Sequence, residues 1–260
     1  MTAILRIESR KRLRGAVIIT AVFALLSAFY FSMFPGMAEE AEAIAEGFPD
    51  FMFDFFGIEA IHTIEGFIAA EIYSFFWIVF VGIYFAYVSA GLIAADVRSR
   101  RIDLSLSNPI SRESVLLQKV AALWVPIVVL NVGVPVIVYL GSVAIDETMN
   151  PVAIAMLHLL SIPYLLVCAG IGLVLSVSLT HERTARATAL GAVLLLWLVD
   201  GISRLDADYE WIGMGTPSRY YEVSDILVHE EYAILDAAIL IVAFLGLVGL
   251  ALVIFIRRDI

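Results

Sequence analysis

Histidine is the residue type in this chain best suited to metal binding or proton transfer, and it occurs at His62, His158, His181 and His229. Protein metal sites usually combine ligands at short, regular spacings, and these four residues show no such spacing. His62 and His229 would meet only if two distant loops came together. We therefore expect no metal ligands. His158 lies inside an apolar stretch, where it is either a hydrogen-bonding core residue or part of a substrate pathway.

Three carboxylates border apolar stretches, at Glu71, Asp200 and Asp236. If these stretches cross a membrane, charged groups within them are costly to bury and mark functional sites. Asp200 and Asp236 therefore join His158 as candidates for lining a substrate pathway. All three carboxylates lie near the ends of their stretches, where water remains accessible, so a structural or interfacial role is the favoured interpretation. No nucleophile–base pair accompanies them, and we predict no catalytic residue.

The chain has two lysines, Lys11 and Lys119, and neither can be the lysine of a common nucleotide-binding loop. A loop that cradles phosphate needs glycine directly before the lysine and serine or threonine directly after it. Lys11 follows Arg10 and Lys119 follows Gln118, so neither lysine meets this requirement. If ATP powers this protein, another polypeptide must hydrolyse it.

The composition indicates an integral membrane protein. Of the 260 residues, 62% are hydrophobic and 16% charged, and the net charge is −10, whereas soluble domains carry about 45–50% apolar and about 25% charged residues. The single cysteine, Cys168, lies in an apolar stretch and is expected to be a small buried residue. The acid-rich, lysine-poor composition also fits an outer surface that faces strong brine. No nucleic-acid partner is expected.

Six apolar stretches are long enough to cross a bilayer core of about 30 Å, which takes about 20 helical residues. The sequence therefore predicts an all-α membrane protein with one transmembrane domain over residues 1–260. Numbered along the chain, spans 1 to 6 are predicted at about 15–34, 72–95, 120–143, 151–179, 187–203 and 234–256. The loops predicted on one side of the membrane are 35–71, 144–150 and 204–233.

Charge segregation supports six crossings and predicts the orientation. Acidic residues crowd the three loops named above, and only Arg204 and Arg219 among the basic residues fall on that side. Because positively charged loops stay in the cytoplasm, both termini are predicted to be cytoplasmic in a multi-pass plasma-membrane protein. The basic residues on the predicted inner side are Arg6, Arg10, Lys11, Arg12, Arg14, Arg98, Arg100, Arg101, Arg112, Lys119, Arg183, Arg186, Arg257 and Arg258.

Residues 1–14 interleave apolar positions with cations. Such a segment suits a helix in the inner membrane interface, where Arg6, Arg10, Lys11 and Arg12 would lie near the phosphates of membrane lipids. The alternative is a simple charge cluster that only sets the topology. Both interpretations place this segment on the predicted inner side of the membrane.

The connection between spans 2 and 3 reads DVRSRRIDLSLSNPISRESVLLQK from Asp96 to Lys119. Pro109 interrupts any helix that continues from span 2. Ser111 is a good N-cap, and Glu113 in the first turn would complement the helix dipole. We therefore predict a short helix that feeds into span 3 and is presented to a cytoplasmic partner. The alternative is an ordinary positively charged inner loop.

This connection also carries a recognisable order of residues: an acid soon after span 2, leucines, proline, an apolar residue, serine and arginine, and then lysine. With a basic amino-terminal helix, six spans and a terminal Arg-Arg-Asp, it resembles the permeases of ATP-binding-cassette (ABC) type-2 transporters. The family commonly has glutamate in place of Asp96 and a Gly-Thr pair near Arg101. The matching residues are Asp96, Leu104, Leu106, Pro109, Ile110, Ser111, Arg112 and Lys119.

The resemblance implies the membrane subunit of an exporter that forms a homodimer, or a heterodimer with a second permease. A separate ABC ATPase would use ATP and Mg²⁺, and this chain would bind no cofactor of its own. The amino-terminal helix and the connection between spans 2 and 3 would contact that ATPase. The residues that would couple the two subunits are Asp96, Arg98, Arg100, Arg101, Pro109, Ser111, Arg112 and Glu113.

Three other functions are alternatives to this one. An intramembrane enzyme would need a nucleophile–base pair or a metal-ligand set inside the spans, and the sequence shows neither. An ion-coupled carrier usually has internal repeats and charged residues near mid-bilayer, and neither is evident. A non-transporting membrane scaffold is the remaining alternative. No residue identifies the transported substrate.

Overall fold

The computed structural model describes residues 3–38, 47, 49–99 and 110–258. The described residues form helices and connecting loops without a strand, and six of the helices are long and apolar enough to cross a membrane. The prediction of an all-α protein with six spans is confirmed. As observed, spans 1 to 6 are Ile4–Ala38, Ile64–Arg98, Arg112–Ala144, Pro151–Ser178, Glu182–Ser203 and Ile234–Arg257.

Span 1 belongs to one unbroken helix, Ala3–Ala38, which also contains most of the segment predicted to lie in the interface. Its 36 residues make a helix of about 54 Å at about 1.5 Å per residue. This length exceeds the roughly 30 Å of a bilayer core. The helix must therefore tilt strongly in the membrane or extend beyond its hydrocarbon core.

Span 2 is irregular and is built from four consecutive helical segments. The second segment is a 13-residue π-helix, a wide geometry that is rare and is frequently found at functional sites. A turn around Gly91 separates the third and fourth segments. The segments are Ile64–Ile68, Ala69–Val81, Gly82–Ala90 and Ala94–Arg98.

Spans 2 and 4 form the centre of the bundle. In their most apolar 18 residues, 67% and 72% are buried, against 22–33% for the other four spans. Span 4 packs against spans 2 and 6, span 5 packs against span 2, and span 1 packs against span 3. A Cβ atom at Gly172 would lie 2.1 Å from the carbonyl oxygen of Ala86, so spans 2 and 4 approach at a distance that only glycine permits.

Span 3 opens with the predicted short helix, which runs over Arg112–Ala121 and turns into Trp124–Ala144. Span 4 begins where Asn150 caps the helix by accepting a 2.9 Å hydrogen bond from the backbone N–H of Val152. Asparagine is among the best N-cap residues. The helix ends at Ser178, and three residues later His181 precedes span 5.

The two ends of the bundle differ in charge, and we call them the basic end and the acidic end. The basic end holds the start of span 1, the end of span 2, the start of span 3, the connection between spans 4 and 5, and the end of span 6. The opposite, acidic end is covered by short helices. These are Asp50–Phe56, Ala207–Tyr209, Glu210–Gly213, Ser218–Tyr220 and Val223–Leu227.

Candidate functional site

An ion cluster joins three chain segments at the basic end. Lys119 Nζ lies 2.6 Å from Asp96 Oδ2 and 3.7 Å from Glu8 Oε1. The side chain of Lys119 is only 4% exposed, and the carboxylates are 14% and 12% exposed. Because a buried charge needs a partner, these ion pairs connect the start of span 1, the end of span 2 and the start of span 3.

Two of the four predicted interfacial cations belong to this cluster. Arg12 Nη1 donates to Glu8 Oε2 at 2.8 Å, and Lys11 Nζ donates to Glu8 Oε1 at 2.8 Å. These residues lie three and four positions apart on one helix, the spacing at which side chains meet. The other two, Arg6 and Arg10, are exposed. Glu8 was not among the predicted site residues, although its spacing to the two cations pointed to it.

Arg112 holds the short helix against the end of span 6. Its Nη1 donates to the carbonyl oxygen of Arg258 at 2.6 Å and to those of Phe255 and Ile256 at 3.4 Å. Arg258 in turn donates to the carbonyl oxygen of Val177 at 2.6 Å. The last carbonyls of a helix have no partner within that helix, so these two arginines satisfy the ends of spans 6 and 4.

Ser111 caps the short helix as predicted, accepting a 3.2 Å hydrogen bond from the backbone N–H of Ser114. Glu113 lies in the first turn of that helix. The side chain of Arg98 is 58% exposed and lies 3.7 Å from Glu182. Three further predicted residues lie outside the described part of the chain, namely Arg100, Arg101 and Pro109.

A second polar network lies among spans 2, 3 and 4, centred on His158, which is 2% exposed. Its Nδ1 lies 3.3 Å from Asn131 Oδ1, and its Nε2 lies 2.9 Å from the hydroxyl of Tyr73. Because the Asn131 oxygen can only accept, His158 donates from Nδ1 and accepts from Tyr73 at Nε2. Ser161 donates to the same Asn131 oxygen at 2.9 Å.

This geometry favours the hydrogen-bonding interpretation of His158. Tyr73 comes from the π-helical segment of span 2, and the Trp77 ring of the same segment meets the His158 ring edge-on at 4.6 Å between centroids. Neither Tyr73 nor Asn131 was predicted. An amide inside an apolar span was the available signal for Asn131, since polar side chains in membranes seek partners on neighbouring helices.

Asp200 belongs to a third cluster, at the acidic end. Arg204 Nη2 lies 3.0 Å from Asp200 Oδ2, and the Arg204 guanidinium binds both oxygens of Glu222, at 2.6 and 3.0 Å. Burial raises the pKa of Glu222, and Arg204 opposes that rise. Burial alone would lower the pKa of Arg204, but the facing carboxylates outweigh it and raise that pKa overall.

Asp236 lies in the first turn of span 6, where a negative charge complements the helix dipole. It lines a cavity of about 30 Å³ together with Glu222 and Asp225, which is room for about one water. Asp200 and Asp236 are therefore both near Glu222, whereas His158 belongs to the separate network among spans 2 to 4. The three residues predicted to line a pathway do not share one site.

His229 and Glu59 connect two loops at the acidic end, with 2.6 Å between Nε2 and Oε2. The hydrogen bond to Glu59 raises the pKa of His229, and the carboxylates of Asp225 and Glu231 act in the same direction. The contact therefore stabilises the fold fully below the unfolded pKa of about 6.5, and this stabilisation is lost as pH rises through the higher folded pKa.

Between pH 6 and pH 9, the melting temperature of the native chain should fall by up to a few degrees more than that of His229→Gln. Equal pH dependence in thermal scans would contradict this.

A family model described as ABC-2 family transporter protein matches residues 2–260. A comparison with curated proteins gives no match. The family match spans almost the whole chain, and it agrees with the six apolar helices and with the motif at the connection between spans 2 and 3. The six spans make this a multi-pass membrane protein. The chain belongs to the ABC-2 transporter family, whose members are the membrane-embedded permease components of ABC transporters.

Proposed function

We propose that this chain is the permease subunit of an ABC exporter in the plasma membrane, and that it forms the substrate path as a homodimer or with a second permease. The family match supports the transporter role. The observation that carries the mechanism is the arrangement at the basic end, where the short helix Arg112–Ala121 is connected by side chains to spans 1, 2 and 6 and by the chain itself to the rest of span 3.

The connections run through both ends of this helix. Arg112 at its start contacts the last carbonyls of span 6. Lys119 near its end pairs with Asp96 of span 2 and Glu8 of span 1, and the chain then continues into span 3. Because buried ion pairs hold their partners in a defined geometry, a displacement of this helix is passed to all four spans together.

The basic end is proposed to face the cytoplasm, because Lys and Arg accumulate on the cytoplasmic side of membrane proteins. That orientation places the short helix on the side where ATP is available. A separate ATPase would bind ATP and Mg²⁺, press on this helix when it closes around the nucleotide, and so move the spans. Two residues are accessible for that contact. The side chain of Arg98 is 58% exposed, and Leu117 is 47% exposed.

The double variant Arg98→Glu/Leu117→Glu should reduce the ATPase that co-purifies with this chain at least tenfold, since it removes an exposed cation and an exposed apolar contact. Neither side chain belongs to the buried clusters, so the fold should be retained. The measurement is Mg²⁺-dependent ATP hydrolysis in the complex purified from native membranes, relative to the amount of this chain.

The control is Glu147→Lys, an exposed charge change at the acidic end, which should leave the co-purified activity unchanged. The melting temperature of each purified variant reports whether it has folded. A folded double variant that retains its full share of ATPase would contradict the proposed docking surface. Loss of the ATPase from Glu147→Lys as well would contradict the proposed orientation.

A further inference from the structure

A cavity of about 340 Å³ opens at the basic end, between spans 1, 2, 3 and 5. Its walls are partly apolar, from Gly15, Val88 and Leu92, and partly aromatic, from Tyr84 and Tyr87. Tyrosine is enriched where spans meet the headgroup region of a membrane. The charged side chains that line the cavity are Lys11, Arg12, Lys119, Arg186, Glu8 and Asp96.

Two arginines that line this cavity have hydrogen-bond donors without acceptors. Arg12 is 8% exposed, and its Nε is buried with no partner among the described residues. The Nε of Arg186 is likewise buried and unpartnered among those residues. Buried donors are nearly always paired, and an unpaired one costs free energy. Two such donors, from spans 1 and 5, mark a place for an acceptor that the described residues do not supply.

Other nitrogens of both arginines are held in place by the protein. Arg12 Nη1 donates to the carbonyl oxygen and the carboxylate of Glu8. Arg186 Nη2 lies 2.9 Å from Glu182 Oε1, and its guanidinium carbon lies 4.6 Å from the centre of the Tyr87 ring. The two guanidinium groups are therefore oriented before any ligand arrives, which lowers the entropic cost of binding.

Charge also favours an anion in this cavity. Its lining holds four cations and two carboxylates. Glu182 pairs with both Arg186 and Arg98 from outside the lining, so with this outer pair included five positive charges face three negative ones. The surplus is two positive charges, and a phosphodiester with its single negative charge would neutralise one of them. Guanidinium groups match the oxygens of phosphate geometrically, with two donors directed at one anion.

We propose that this cavity binds a phosphodiester, whose oxygens accept hydrogen bonds from the Nε–H groups of Arg12 and Arg186. The apolar wall would contact the rest of the ligand. A phosphodiester at this position can come from the headgroup of a membrane phospholipid or from a soluble phosphodiester. The site requires only this chain, so it does not depend on an ATPase partner.

The test measures binding to the full chain, purified and stripped of lipid in mild detergent, without any ATPase. Two probes are used: a phosphatidylglycerol for the lipid source and glycerophosphoglycerol for the soluble one. Arg186→Gln should weaken binding of the active probe about tenfold or more, because it removes a charge-assisted hydrogen bond. Arg186→Lys keeps the charge but loses the Nε donor, so it should weaken binding to a similar extent.

The matched control is Arg183→Gln, which removes the same charge from the same helix at an exposed position and should change affinity less than twofold. Binding of either probe with this pattern supports the phosphodiester site, and the probe that binds identifies its source. If neither probe binds the folded native chain, the proposal is wrong. It is also wrong if Arg183→Gln weakens binding as much as Arg186→Gln, since the attraction would then be non-specific. If the co-purification test of the proposed ATPase contact failed, this binding test would still hold, because it uses the chain without an ATPase.

Discussion

Lys119→Met is expected to lower the free energy of unfolding by about 3–5 kcal/mol, the usual cost of removing one partner from a buried ion pair. Methionine fills a similar volume but leaves the carboxylates of Asp96 and Glu8 without their shared cation. Both carboxylates are largely shielded from water, at 14% and 12% exposure. The loss therefore comes mainly from the uncompensated charge of Asp96, since Glu8 keeps Arg12 and Lys11 as partners.

The measurement is equilibrium unfolding in mixed micelles, followed by circular dichroism. Lys11→Met is the matched control, because Lys11 is the only other lysine and also pairs with Glu8, but its side chain is 50% exposed. Exposed pairs contribute about 0–1 kcal/mol, so this variant should be nearly neutral. The double variant Lys119→Met/Asp96→Asn should recover part of the loss. Equal stability of the two lysine variants would show that the cluster does not connect the three spans.

Arg204→Met is expected to have the second large effect, again about 3–5 kcal/mol near pH 8. Arg204 is the shared cation for Asp200, whose side chain is 4% exposed, and for Glu222, whose side chain is 30% exposed. Without the guanidinium, two carboxylates face each other at the acidic end. The segment 204–233 should then separate from the end of span 5.

This effect should depend on pH with a defined sign. Burial already raises the pKa of Glu222 against the opposing influence of Arg204, so loss of Arg204 raises that pKa further. A raised pKa in the folded state means that protonation favours folding. The defect of Arg204→Met should therefore shrink as pH falls from 8 to 5, as measured by unfolding at each pH.

Arg219→Met is the matched control for this second prediction. Arg219 is the other basic residue of the acidic end, and it pairs with Glu210, whose side chain is 54% exposed. Its replacement should change stability by about 0–1 kcal/mol, with little dependence on pH. A defect in Arg204→Met that stays constant across this range would indicate lost packing rather than unpaired carboxylates.

The helical layout was predictable because it depends on local chemistry. Apolar stretches of about 20 residues must be helical in lipid, since every backbone polar group has to be satisfied internally. The cap at Ser111 follows from the first few residues of one helix. The continuous helix Ala3–Ala38 was less evident from the sequence. Hydropathy marks only its apolar part, whereas the helix also includes the polar residues before that part.

Side-chain partners were predictable only within a single helix. Glu8 and Arg12 are four positions apart, so their pairing needs no knowledge of the fold. Lys119 and Asp96 lie on different spans, and their contact depends on how those spans pack. The same applies to Arg112, which was predicted to contact an ATPase and which the fold places on the carbonyls at the end of span 6.

By itself, the sequence determined a membrane protein with six helical spans, opposite charge at its two ends and membership of a transporter family. Those properties follow from hydropathy and from the order of residues along the chain. Tertiary structure alone decided which charges are buried together, which arginines beside a cavity have donors without acceptors among the described residues, and that His158 links spans 2, 3 and 4. The physical reason is that an ion pair or a hydrogen bond acts over a few ångströms, and only the packing of distant helices brings such groups that close.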